Sequence, residues 1–205
     1  MKFVSYLKSG KPSLGYLLDE SFCIIDIPDI SNNTLPDNMK SYLSNFEFNN
    51  ARLNELMHAN ENYKSIINYS DILAPIDNPT SFRDFYAFRQ HVEAGRKNRG
   101  LEMIPEYDEI PVFYFSNHQS ISGPGNVFVQ QKHLDKLDFE LEIGVLISKK
   151  GKNIKSKDAF SYVAGFMILN DWSARSMQFQ EMKLNLGPAK GKDFATSIGP
   201  YLVTL

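Results

Sequence analysis

The chain has 205 residues, 42% of them hydrophobic and 22% charged, and a formal net charge of −2. This is enough sequence to bury a sizeable core, in one domain or in a small domain plus a larger one, and the composition is that of an ordinary soluble globular protein. The near-neutral balance gives no reason to expect nucleic acid or an anionic membrane surface as a partner, and the single cysteine, Cys23, excludes an internal disulfide framework or a cysteine-rich zinc site.

Met1–Ser5 leads into alternating residues rather than the apolar block of a signal peptide, and no apolar run approaches a membrane span. A cytoplasmic, membrane-free protein is the default expectation. Residues 2–27 read as short strands, with turns at Ser9–Ser13 and Asp19–Glu20. From about Asn38 the pattern turns helical: Met39, Tyr42, Leu43 and Phe46 recur at three- and four-residue spacing, as do Leu53, Leu56, Met57, Tyr63 and Ile66. The proline-punctuated stretch Leu73–Thr80 reads as an extended connector, dividing a small domain, 1–74, from a larger one, 75–205.

Ser81–His91 reads as a short helix or turn with an aromatic face. Gly95–Gly100 is a basic segment: a solvated loop, or a lid whose guanidinium groups meet an anionic substrate. Pro111–Phe115 is strand-like and Ser122–Asn126 a turn. In Leu137–Ile147 apolar side chains fall on every second residue, so Leu137, Phe139, Leu141, Ile143, Val145 and Ile147 share one strand face. Asp138, Glu140 and Glu142 share the other, spaced about 7 Å apart. That acidic face is either solvated or holds a cation, and the strand alone does not decide between them. Lys149–Asn153 reads as a solvated hairpin turn, Asp158–Ala164 as a helical turn with Asp158 as a cap, and Phe166–Leu169 as a buried strand that runs into the polar cluster Asn170–Arg175.

Other chemistries lack support. Gly187–Asp193 imitates a phosphate loop, but its glycines are one residue too close and Asp193 stands where the magnesium-binding hydroxyl belongs. His58, His91, His118 and His133 show no metal-ligand spacing. There is no Gly-x-Ser-x-Gly elbow, and Cys23 has no nearby histidine.

Four segments taken together resemble the fumarylacetoacetate hydrolase family. They are Asp84-Phe85-Tyr86 with Arg89-Gln90-His91, then Asp138-Phe139-Glu140-Leu141-Glu142, then Asn170-Asp171-Trp172-Ser173-Ala174-Arg175, and last Gly191-Lys192-Asp193-Phe194-Ala195-Thr196. The resemblance covers roughly residues 75–205. It implies an α+β protein, a small N-terminal β/α domain followed by a mixed β-roll catalytic domain. By the same carry-over the acidic face holds a metal, with Asp84, Glu140, Glu142 and Asp171 as ligands and Asp138 outside the set. All-oxygen coordination implies Mg²⁺, Mn²⁺ or Ca²⁺.

The implied reaction is hydrolysis of a carbon–carbon bond in a β-diketone acid. His91 would be general base and Lys192 would stabilise the oxyanion. Tyr86, Tyr114, Arg175 and Gln178 match substrate-contacting positions, and Lys192 and Thr196 match a second cation site. A small dicarboxylate substrate and a homodimer are implied as partners. Decarboxylation or isomerisation of related 2-oxo acids uses the same chemistry, and a catalytically impaired paralogue that binds a cation or partner is the rival from another class. The family's catalytic domain continues past the point that matches Thr196, so an incomplete roll, a fragment or truncated product, is expected. Glu93 lies near His91 but at a spacing unlike the histidine–glutamate pair of shorter relatives.

Overall fold

The computed structural model describes residues 1–59 and 63–205. The described residues form twelve strands and six α-helices. The N-terminal part contains β1 (Lys2–Lys8), β2 (Lys11–Leu17), β3 (Cys23–Asp26), α1 (Ile27–Ile30), α2 (Met39–Leu43), α3 (Phe46–Ala59) and β4 (Ser65–Ile66). The remainder contains β5 (Arg83–Phe85), α4 (Arg89–Lys97), α5 (Glu106–Glu109), β6 (Phe113–Phe115), β7 (Ile121–Ser122), β8 (Leu137–Asp138) and β9 (Leu141–Ile147). β10 (Val163–Asp171), β11 (Ser173–Ala174), α6 (Arg175–Met182) and β12 (Thr196–Thr204) complete it.

Local chemistry sets the N-terminal elements. Ser9 and Gly10 both adopt positive φ between the paired Lys8 and Lys11, the backbone that a two-residue hairpin requires. Asp26 caps α1 by accepting the Asp29 N–H at 2.8 Å, and Asn38 caps α2 by accepting the Ser41 N–H at 2.9 Å. The main sheet runs β4-β3-β2-β1-β12-β10-β9, antiparallel throughout, with β7 joining β12 in parallel. Two small ladders, β8 with β11 and β5 with β6, stand beside it. One core cluster joins Phe3, Leu14, Ile27, Tyr42 and Leu53 with Leu146, Met167, Leu169, Ile198 and Leu202. The β1–β12 pairing, with Lys2 opposite Val203 and Phe3 opposite Leu202, carries the sheet from the first segment into the second.

Several elements differ from the sequence reading. The helical spacing drawn from Leu53 to Ile66 crosses residues 60–62, which lie outside the described residues; beyond them Ile66 sits in β4, so its period was not helical. Ser81–His91 is not one helix or turn. Arg83–Phe85 is extended because Asp84 pairs with Tyr114 in the β5–β6 ladder, and helix begins only at Arg89. The basic segment is helical as far as Lys97 rather than a loop throughout. Asp158 lies inside a 3₁₀ turn, Ser156–Tyr162, and does not cap it. His133 is buried in another, Gln131–Lys136, stacked on Phe194 with ring centres 4.2 Å apart.

The central stretch is interrupted as well. Leu137 and Asp138 pair with β11, Leu141–Ile147 pair with β10, and Phe139-Glu140 lie between the two ladders. Along β9 the apolar positions, not the acidic ones, face outward: Leu141 is 73% exposed and Ile143 62%. Gly144 and Leu146 face the core instead, and Glu142 follows their side of the strand.

Candidate active site

Carboxylates from three strands converge. Asp84 comes from β5, Glu142 from β9 and Asp171 from the end of β10, and one oxygen of each lies within 4.8 Å of the other two. The register explains the meeting. Glu142 stands opposite Leu169 on β10, two residues before Asp171 and on the same face, while Asp84 is held across β5–β6 by Tyr114. The Tyr114 hydroxyl, with one proton to give, lies 2.8 Å from Asp84 Oδ2 and 2.9 Å from Asp171 Oδ2.

Glu140 is turned aside. Its N–H donates to Asn170 Oδ1 at 3.1 Å and its carbonyl accepts the Asp171 N–H at 3.1 Å, so the interruption in the strand has its own bonds. Its carboxylate accepts from Arg175 Nη1 at 2.5 Å and from Lys192 Nζ at 2.6 Å. Lys192 is buried and also reaches Asp171 Oδ2 at 2.6 Å. Arg175, first residue of α6, is clamped by Asp138 Oδ2 at 3.0 and 2.9 Å and by Gln178 Oε1 at 3.1 Å.

The electrostatics follow from this geometry. Burial first, then the charges of Asp84, Asp171 and Glu140, push Glu142 up to about 8. Burial pushes Asp171 up to about 6 although Lys192 opposes it, and burial likewise raises Asp84. Glu140 is buried too, yet the bonds from Lys192 and Arg175 hold it below its ordinary value. Burial alone would lower Lys192; Asp171 and Glu140 outweigh that and hold it high.

A hard divalent cation fits these residues. The donors are all oxygen, the carboxylates repel one another when dry, and among the described residues the buried Oδ1 of Asp171 has no hydrogen-bond partner. The buried Thr196 Oγ1 is likewise without a partner, and Thr196 stands directly opposite Asp171 in the β10–β12 ladder.

The remaining expected residues lie elsewhere. His91, in the first turn of α4, is exposed, and among the described residues no hydrogen bond ties its side chain to the carboxylates. Tyr86 is half-exposed and accepts the Tyr107 hydroxyl on its carbonyl at 2.7 Å. It lines a cavity of about 140 Å³ together with Val92, Arg96, Arg99, Ile104 and Tyr107. Gln178 touches Arg175 within the chain. Sequence reading missed the bridging hydroxyl of Tyr114, the Asp138 clamp and Asn170. Asn170 stood in the sequence as a polar residue at the end of an apolar strand and as the first residue of the Asn170–Arg175 segment, with no role attached to it. Among the described residues no helix is long and apolar enough to cross a membrane.

Comparison with known proteins shows the family of the chain. A family model described as fumarylacetoacetate (FAA) hydrolase C-terminal matches residues 80–205. The fumarylacetoacetate hydrolase domain-containing protein 2 homolog of Dictyostelium discoideum is 31% identical over 99% of this chain and 64% of its own length. Oxaloacetate tautomerase fahd2, mitochondrial, of Xenopus laevis is 29% identical over 100% of the chain and 62% of its own. The chain thus spans a little under two thirds of these relatives. Among solved structures, maleylpyruvate hydrolase from Sphingobium sp. SYK-6 in complex with manganese (II) ion and pyruvate shares the fold, with a TM-score of 0.64 at 19% identity, over 100% of this chain and 67% of that one. The mixed α+β architecture expected from the sequence is therefore the fold of a family of enzymes that includes hydrolases, and this chain belongs to the fumarylacetoacetate hydrolase family.

Proposed function

We propose that the chain carries the metal site of an enzyme that hydrolyses a carbon–carbon bond in a β-diketone acid of the fumarylacetoacetate or acylpyruvate kind. The observation that carries this reading is the meeting of Asp84, Glu142 and Asp171 within 4.8 Å, beside an orphaned buried carboxylate oxygen. These three would hold a divalent cation, Mg²⁺, Mn²⁺ or Ca²⁺, with Glu140 beside them; Lys192 and Thr196 border a second cation position. When bound, such a cation stabilises negative charge on substrate oxygens as a Lewis acid.

The chain's own residues do the rest. Lys192, kept charged by Asp171 and Glu140, presents an ammonium to an oxyanion. Arg175 is held in one orientation by Asp138 and Gln178 and offers its guanidinium to a substrate carboxylate. Tyr86 and Tyr114 would contact the substrate, Tyr114 from beside Asp84 and Asp171. His91 would take the proton of the attacking water.

A second reading is isomerisation or decarboxylation of a 2-oxo acid such as oxaloacetate. The exposed position of His91 favours it, since that chemistry needs no activated water, and a relative aligned over the whole chain is named an oxaloacetate tautomerase. The two separate on one preparation supplied with Mn²⁺. Hydrolysis predicts loss of diketone absorbance, reduced about 10²-fold or more in His91→Ala. Enol–keto conversion or pyruvate release from oxaloacetate, unchanged in His91→Ala, would select the second. A chain that binds Mn²⁺ and turns over none of these substrates would be a binding paralogue.

A further inference from the structure

We propose that Glu181 is the positioning residue for Lys192. The inference rests on the reading that the Lys192 ammonium belongs to the active site. Helix α6 starts four residues after Asp171 and sets Arg175, Gln178 and Glu181 at three-residue spacing, neighbours along its surface. Arg175 holds Glu140 and Gln178 holds Arg175. Glu181, a turn further on, uses both carboxylate oxygens on the segment that carries Lys192: Oε1 accepts the Ala189 N–H and Oε2 accepts the Gly191 N–H, the latter at 3.1 Å.

The segment is pressed against the helix at that point. A Cβ on Gly191 would stand 2.8 Å from the Gln178 nitrogen, and one on Gly187 would stand 2.8 Å from Glu181 Oε1. From this anchored stretch the chain turns tightly, with Lys192 N–H and Asp193 N–H both donating to the Ala189 carbonyl, at 2.9 and 2.7 Å. The Lys192 side chain then enters the site fully buried.

The placement of the charge is informative. Glu181 is the penultimate residue of α6, where the helix dipole disfavours a carboxylate. Among the described residues no lysine or arginine forms an ion pair with it. Its compensation is the pair of backbone N–H groups, and those belong to the loop that delivers Lys192. A flexible lysine held by two carboxylates at one end needs its Cα fixed at the other, and Glu181 supplies that restraint.

The test reads Lys192 itself and needs no substrate, so it stands whichever reaction the enzyme performs. In the folded wild type, acetylation by an amine-selective reagent, followed residue by residue by mass spectrometry, should be slow at Lys192 and fast at Lys183 and Lys190. Glu181→Gln, which keeps one acceptor, and Glu181→Ala, which keeps none, should speed labelling of Lys192 in that order, by about tenfold or more for Ala, the factor matching loss of a charge-assisted hydrogen bond. Lys183 and Lys190 should not change. Wild-type labelling rates at Lys192 in both folded variants would overturn the proposal. Should the variants unfold, amide hydrogen exchange in the wild type decides: slow exchange at Gly191 and Ala189 supports the grip, and exchange at the rate of an unstructured peptide refutes it.

Discussion

Glu142 is the residue that most constrains the chemistry. It lies among Asp84, Asp171 and Glu140, and burial with those charges holds its proton on up to about 8. A carboxyl raised in the folded state stabilises the fold at low pH, and that contribution is lost as pH climbs through the folded value. Metal-free protein should therefore melt at progressively lower temperature as pH rises from about 4.5 to about 8, measured by thermal unfolding in chelator. Glu142→Gln should flatten that slope and raise the melting temperature at pH 8, at the expense of Mn²⁺ affinity. Saturating Mn²⁺ should remove the slope from wild type, because the cation takes the proton's place and releases it. A melting temperature independent of pH in chelator would mean that the carboxylates are not crowded as described.

At the scale of the element, the site depends on one defect in a strand. If Leu137–Ile147 ran without a break, Glu140 and Glu142 would share a face and point the same way. The break at Phe139-Glu140 turns Glu140 toward Arg175 and Lys192 while Glu142 stays with Asp84 and Asp171. Asn170 marks the break by accepting the Glu140 N–H. Asn170→Ala should cost about 1 kcal/mol in urea unfolding, the worth of one hydrogen bond, and should weaken Mn²⁺ binding more than that loss of stability explains. Unchanged metal affinity would show that the cluster tolerates a differently aimed Glu140. Alternation revealed this strand and its acidic face from the residues alone, because period-two patterning is local. The break was illegible, since it comes from β11 and β10 competing for adjacent residues, a contact between distant segments. The same limit hid β5: the triplet Arg83-Asp84-Phe85 is too short to show a period of its own, and the Asp84–Tyr114 pairing that extends it reaches 30 residues down the chain.

For the molecule as a whole, the site and the exposed apolar surface occupy opposite faces of one sheet. Glu142 and Asp171 point to the inner face with Leu146, Met167 and Leu169, while Leu141, Ile143, Val145 and Ile147 stand outward with Ile168 and Val203. The cross-strand pairs Ile143 with Ile168 and Val145 with Phe166 make this a continuous patch on edge strand β9. The sequence showed that β9 is apolar at alternate positions, which by itself does not say which side is covered. A strand with Gly144 and Leu146 on its other side has the composition of one covered on both faces, and alternation cannot rank the two. Such a patch on an unpaired edge binds apolar dyes and promotes association. Protein carrying Ile143→Lys and Val145→Lys should therefore bind 8-anilinonaphthalene-1-sulfonate more weakly than wild type and stay soluble at higher concentration. Its Mn²⁺ affinity should stay within about threefold of wild type, because side chains on opposite faces of a strand share few partners and their effects add rather than couple. A large loss of Mn²⁺ binding with the fold intact would mean that the outer face helps to hold β9 in the register that brings Glu142 to Asp171.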